Sequence, residues 1–323
     1  MIHKDFYTKR QHEHIREGFG RGLVEAGRRD ESVVALSADL TESVYMHYFR
    51  DEFEDRFVQV GVAEQNLVTL ASGMARAGKI PFTGSYAAFS PGRNWEQIKT
   101  TIALNDQPVK IIGSHAGLTV GPDGATHQML EDIAMMRALP NMTVVVPGDA
   151  EEARLATLEI AKLNKPVYMR LTREKTPLFK DGPFEIGKAY LMREGEDISL
   201  MGTGFMTSHL LDVAAELSYL GIEADVLHVP TIKPLDEAAI MMSAAKTGRV
   251  VTLEDGQIAG GFGSAVAELM SETLPTPVKR LGVNDRFGQS GKSYELLAEY
   301  WLDAPNVLRS VLEFIEVTPK YHQ

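Results

Sequence analysis

Cysteine is absent from this 323-residue chain. Disulfides, thiolate catalysis, iron–sulfur clusters and cysteine-type zinc sites are excluded with it. A cysteine-free composition fits a reducing cytoplasm, which is the expected location. Apolar runs near the ~18 residues of a membrane helix are also missing. The opening MIHKDFYTKRQHEHIREGFG is charged and has no apolar core, so no signal peptide is expected. Basic side chains are outnumbered, 33 against 44 acidic, giving a net charge of −11. That balance argues against a bulk electrostatic grip on nucleic acid or on an anionic membrane. A small local cluster of Arg around an anion is compatible with it.

Hydrophobic residues make up 44% and charged residues 24%, so the chain can bury sizeable cores. Its length suggests two domains. Short apolar runs alternate with longer amphipathic stretches, the pattern of an α/β protein with a mostly parallel sheet. Strands are predicted at VVALSAD (33–39), FVQVG (57–61), IPFTGSY (80–86), VKIIGSH (109–115), TVVVPGD (143–149) and PVYMRLT (166–172). Helices are predicted over 63–78, 94–106, 131–138 and 149–164, the last with Asp149 as its cap. The stretch 173–193 is rich in Pro and Gly breaks and reads as a linker with little regular structure. The alternation restarts at ISLMGTG and runs to a helix near 306–316. The predicted fold is α/β with two doubly wound domains: 1–175, a linker over 176–192, and a smaller unit over 193–323.

Chemistry-bearing residues collect in loops past predicted strand ends, where α/β proteins place their sites. In QVGVAEQN, Glu64 opens a helix after a buried strand. Burial and the helix dipole would contest its pKa, or it would simply favour the positive helix end as surface Glu does. In SHAGLTVGPDGATHQ, His115, Asp123 and His127 could fold back onto one ligand, with Gly supplying positive φ. The same loop could be solvated surface. Tyr86 and Phe89 could wall a flat heterocycle or belong to the core. Arg16, Arg170 and Arg173 could hold phosphate, although surface Arg is common. HEH at 12–14 reads as an exposed helix face. GTG at Gly202 and GGFG at Gly260 to Gly263 lack a full dinucleotide fingerprint and read as tight strand–helix turns.

Six segments occur in one order: VGVAEQN, PFTGSYAAF, HAGLTVGPDGATHQ, ALPNMTVVVPGDAEEA, IKPLD and LEDGQIAGGFGSA. From about Arg16 to about Asn284 this series resembles the C-terminal half of transketolase. The resemblance implies thiamine diphosphate as cofactor, bound between two α/β domains, usually of different subunits. Residues 1 to about 175 match the pyrimidine-binding domain, and those from about 193 match the C-terminal domain. Glu64 matches the glutamate that hydrogen-bonds pyrimidine N1′ and so promotes loss of the thiazolium proton. Tyr86 and Phe89 match aromatics that pack on the pyrimidine, and a third such position falls at Gly92. His127 matches a catalytic histidine that contacts donor sugar hydroxyls, and Asp123 a substrate-hydroxyl acceptor. Arg16, Ser43, His115 and Arg173 match four positions that bind a sugar phosphate.

The departure is equally informative. The family's metal and diphosphate motif is GDG followed some thirty residues later by Asn, and no GDG occurs here. The resemblance therefore implies a split enzyme whose N-terminal subunit carries that motif and holds Mg2+ or another divalent metal. This chain would supply no metal ligand. An α2β2 heterotetramer is the expected assembly, moving a two-carbon ketol unit between sugar phosphates. A β subunit of a 2-oxoacid dehydrogenase, a single-chain deoxyxylulose phosphate synthase and a non-catalytic regulatory subunit are the alternatives. The first is opposed by DGATHQ and the phosphate-type residues, the second by the missing N-terminal half, and the last by the intact Glu64.

Overall fold

The computed structural model describes residues 1–320. Runs that are apolar at almost every position become central strands, because helices cover both faces of a parallel sheet. VVALS (Val33–Ser37), KIIGS (Lys110–Ser114) and VYMR (Val167–Arg170) are buried throughout. They belong to a seven-stranded sheet. Its order is Thr231–Lys233, Thr143–Val145, Val167–Arg170, Lys110–Ser114, Ile80–Tyr86, Val33–Ser37, Phe57–Gln59. Six of these strands run parallel. The seventh, Thr231–Lys233, is antiparallel and arrives from the second half of the chain. A second sheet of five strands has the order Val278–Val283, Val250–Gln257, Ile198–Gly202, Ala224–His228, Tyr190–Arg193, with only the last antiparallel. Two doubly wound α/β units are thus present, joined by one shared strand.

Buried polar contacts tie the halves together. Asp149 caps the helix Ala150–Lys162 through the Glu152 amide at 2.9 Å. Its other carboxylate oxygen accepts from the Phe179 and Lys180 amides at 3.0 and 3.1 Å. Glu152 lies 2.7 Å from His228 of the second sheet. Arg170 donates to Asp132 at 2.9 Å and to the Asp255 carbonyl at 2.5 Å, with Tyr168 donating to the same Asp132 carboxylate at 2.7 Å. Separating the partners of a buried ion pair costs several kcal/mol, so these contacts resist displacement of one sheet from the other.

Three local expectations are corrected. His12–His14 is a strand rather than a helix face, pairing antiparallel with Lys175–Pro177. A polar triplet has no helical stripe to bury, and its backbone groups are satisfied by the other strand. The start of the linker is consequently ordered, with Lys175–Pro177 as a strand. The helix expected over 94–106 splits into a turn at Trp95–Gln97 and a wider π-type segment at Ile98–Ala103. No described helix is long and apolar enough to cross a membrane.

Candidate active site

The side chains singled out above lie past the carboxyl ends of parallel strands in the larger sheet. Glu64 is the first residue of the helix Glu64–Arg76 and is 2% exposed. Its Oε2 accepts from Arg93 at 2.8 Å. Its carbonyl accepts from Asn94 at 2.8 Å, and Asn94 also donates to Ser90 at 3.1 Å. Arg93 is half exposed and lies with its guanidinium carbon 4.8 Å from the Phe89 ring centroid. A buried carboxylate thus faces solvent through one half-exposed guanidinium.

Tyr86 and Phe89 have nearly parallel rings, 10° apart, with centroids separated by 6.0 Å. His115 covers one face of Tyr86, stacked at 3.7 Å. His127 stands edge-on to both rings, 5.4 Å from Phe89 and 6.5 Å from Tyr86. Gly92 is tightly enclosed: a Cβ there would fall 2.2 Å from the Ala88 carbonyl oxygen, so a larger residue requires a different turn.

Arg16, Ser43 and Arg173 form a second cluster. Arg16 is nearly buried and donates to the Ser43 carbonyl and, at 2.8 Å, to the Arg173 carbonyl. Its Nε is buried without a partner. Arg173 donates to the Val120 carbonyl. Among the described residues neither guanidinium has a carboxylate within 4.0 Å, unlike Arg170 with Asp132. Two unneutralised guanidinium groups and an orphaned N–H ask for an anionic ligand. His115 adjoins them, with its φ in the left-handed region at 54°. Burial first, and then the charges of Arg16 and Arg173, push His115 down to about 2. This environment favours the neutral ring, which offers an N–H or a lone pair. His14 completes the cluster, 3.4 Å from Arg16 and 3.2 Å from the Arg173 carbonyl. Sequence reading missed His14 because strand pairing, not local spacing, carries it there. Arg93 was missed because a lone Arg in a turn has no signature.

Asp123 and His127 sit on one loop. Leu118–Asp123 forms a 3-10 turn, and Asp123 is exposed at its end. His127 is half buried, 2.9 Å from the Thr126 hydroxyl. No hydrogen bond joins Asp123 to His127 among the described residues. Gly117, Gly121 and Gly124 all have positive φ, as the Gly-rich pattern anticipated.

Both glycine-rich turns of the second domain are structural. In GGFG, the Phe262 and Gly263 amides at the helix start donate to Glu254, each at 2.8 Å. That internal carboxylate occupies the place an anion would take. Burial pushes Glu254 up to about 7 despite those amides. In GTG, a Cβ at Gly202 would fall 2.7 Å from the Thr207 hydroxyl, so this turn packs against its own helix.

The fold and site together define a pair of α/β domains whose larger sheet carries one buried carboxylate and one Arg cluster, linked through Arg93, Phe89, Tyr86 and His115. Residues 12–178 match the family model of the transketolase pyrimidine-binding domain, and residues 187–307 that of the transketolase C-terminal domain. A Methanocaldococcus jannaschii protein assigned as a transketolase C-terminal section is 42% identical over 93% of this chain and 95% of its own. A 6-deoxy-6-sulfo-D-fructose transketolase subunit of a Clostridium species is 39% identical over 98% of each. A solved structure described as a split-gene transketolase, inactive β4 tetramer, is 41% identical. It superposes with a TM-score of 0.89, covering 95% of this chain and 99% of that one. This chain belongs to the transketolase family, as a C-terminal section with its pyrimidine-binding and C-terminal domains. Membership implies dependence on thiamine diphosphate.

Proposed function

We propose that this chain is the C-terminal subunit of a two-subunit transketolase. It would move a two-carbon ketol unit from a ketose phosphate to an aldose or aldose phosphate. The observation that carries this reading is the buried Glu64 carboxylate, linked through Arg93, Phe89, Tyr86 and His115 to an Arg cluster without acidic partners among the described residues.

The residues present suit the aminopyrimidine half of the cofactor. Glu64 has one carboxylate oxygen bound to a half-exposed Arg that can swing away, and Phe89 offers an aromatic face beside it. When bound, thiamine diphosphate supplies the carbon nucleophile and electron sink for cleaving the ketose C2–C3 bond. Glu64 would hold a proton between its carboxyl and pyrimidine N1′, where burial strengthens the bond. Phe89 and Tyr86 would pack on the ring and exclude water. His127 would hydrogen-bond donor hydroxyls, with Asp123 accepting from another. Arg16, Arg173 and neutral His115 would take the substrate phosphate, with Ser43 beside them.

The diphosphate and a divalent metal, Mg2+ or a similar ion, are assigned to an N-terminal partner bearing GDG and a following Asn, since this sequence has no GDG. An α2β2 heterotetramer completes the proposal, with this chain divided as 1–175, 176–192 and 193–323. A cytoplasmic site of action and a place in pentose phosphate chemistry follow the same reading.

In the reconstituted pair, Glu64→Ala is expected to lower kcat by about 10²–10⁴-fold. Turnover equal to that of the unaltered pair would sink the catalytic role and favour a non-catalytic subunit.

A further inference from the structure

The loop Leu118–Gln128 carries Asp123 and His127, yet much of what holds it in place comes from the other domain. The strand Val250–Gln257 runs beyond its pairing with Ile198–Gly202, which ends at Leu253. At its tip Asp255 Oδ1 accepts the Leu118 amide at 3.0 Å. Two residues on, the Gln257 amide donates to the Leu130 carbonyl at 2.8 Å. One strand tip therefore grips the loop at both of its ends. The segment 288–293 adds hydrogen bonds near the same two ends. The Ser293 hydroxyl lies 3.0 Å from the Thr119 carbonyl and from Glu174 Oε1. The buried Gln128 amide donates to the Leu118 carbonyl at 3.2 Å and to the Gln289 carbonyl at 3.0 Å. Packing is close enough to dictate residue type. A Cβ on Gly117 would lie 1.9 Å from Asp255 Oδ2, and one on Gly288 would lie 1.8 Å from Gln128 Oε1.

We propose that Asp255 and Ser293 are positioning residues of the donor-sugar pocket, so that the C-terminal domain forms its outer wall. The inference rests on the proposed roles of Asp123 and His127. Asp255 and Ser293 hydrogen-bond the loop at Leu118 and Thr119 and not Glu64, Tyr86 or Phe89, so the effect on sugar should separate from the effect on cofactor.

The test measures donor KM, kcat and thiamine diphosphate half-saturation in the reconstituted pair. Loss of one loop hydrogen bond corresponds to roughly a fivefold change. Asp255→Ala and Ser293→Ala are expected to raise donor KM about 5–10-fold, with cofactor half-saturation, read by binding in the absence of sugar, within about twofold. Asp255→Asn keeps an acceptor oxygen for the Leu118 amide and should restore most of the donor KM. His127→Ala serves as the reference. If it raises donor KM while both Asp255→Ala and Ser293→Ala leave it unchanged, the positioning role is refuted. If His127→Ala leaves donor KM unchanged, the sugar-pocket reading itself fails. If Asp255→Ala does not fold, Ser293→Ala alone decides, because Ser293 is only half buried and its loss leaves no buried charge.

Discussion

Glu64 and His127 both adjoin Phe89, Glu64 through Arg93, but are held there by different means. Glu64 is fixed by neighbours in its own stretch of chain: Arg93 is 29 residues away and Asn94 is 30. The loop bearing His127 is fixed across the domain boundary, by Asp255 at 137 residues' separation, Gln289 at 161 and Ser293 at 174. The first arrangement is a strand–turn–helix unit that carries its carboxylate wherever it folds. The second exists only when both domains dock. On the proposed roles, the cofactor-directed carboxylate is held locally and the sugar-directed loop by tertiary packing.

Gly117→Ala attacks the cross-domain side most severely. The left-handed φ of 86° and the overlap with Asp255 act together. A destabilisation of about 2–4 kcal/mol is expected from strain plus overpacking, read by urea unfolding. Any folded fraction should show raised donor KM with unchanged cofactor affinity. A cofactor affinity that falls in parallel would erase the distinction between the two regions.

Arg16→Gln sharpens the comparison by removing half of the anion cluster while leaving Glu64 alone. Donor KM for a phosphorylated ketose should rise about 10–100-fold, the range for a lost charge-assisted contact. KM for the corresponding unphosphorylated sugar should stay within twofold. Equal losses for both sugars would remove phosphate from the assignment of this cluster.

Arg93→Gln probes the local side. Its guanidinium occupies Glu64 Oε2 and would compete with the pyrimidine nitrogen proposed to bind that carboxylate. Cofactor half-saturation should fall by roughly 2–5-fold, the modest scale of a half-exposed pair, with donor KM unchanged.

Lys110 lies outside both regions and serves as a control. It is fully buried in a central strand, and its ammonium donates only to the Leu163 and Lys165 carbonyls. Burial without a carboxylate pushes it down to about 7. Between about pH 7 and the ordinary Lys value of about 10.4, the unfolded chain binds more protons than the folded one. Stability attributable to this group therefore rises with pH across that window. Relative to Lys110→Met, the unaltered chain should gain about 1–3 kcal/mol between pH 7 and 9 in urea unfolding, with activity per folded molecule unchanged.

Much of this organisation was legible in the sequence, and the illegible parts have a common cause. The central strands were readable because burial on both faces forces continuous apolar runs such as VVALS and KIIGS. Glu64 was readable because its strand, turn and helix are contiguous. The Gly-rich loop announced its own positive φ angles. By contrast, Asp255 and Ser293 are ordinary polar residues whose partners are more than a hundred positions away. No strand is expected at Thr231–Lys233, yet it completes the other domain's sheet. His12–His14 depends on a strand 163 positions downstream. The neutrality of His115 arises from neighbours that only the folded chain assembles.

The most direct test mixes purified components. This chain, a partner bearing GDG and a following Asn, thiamine diphosphate and Mg2+ are assayed for ketol transfer from a ketose phosphate, singly and together. Turnover is expected only from the mixture, rising to a plateau at one partner per chain. Ketol transfer by this chain alone, or none from a well-formed complex of the two, would contradict the account.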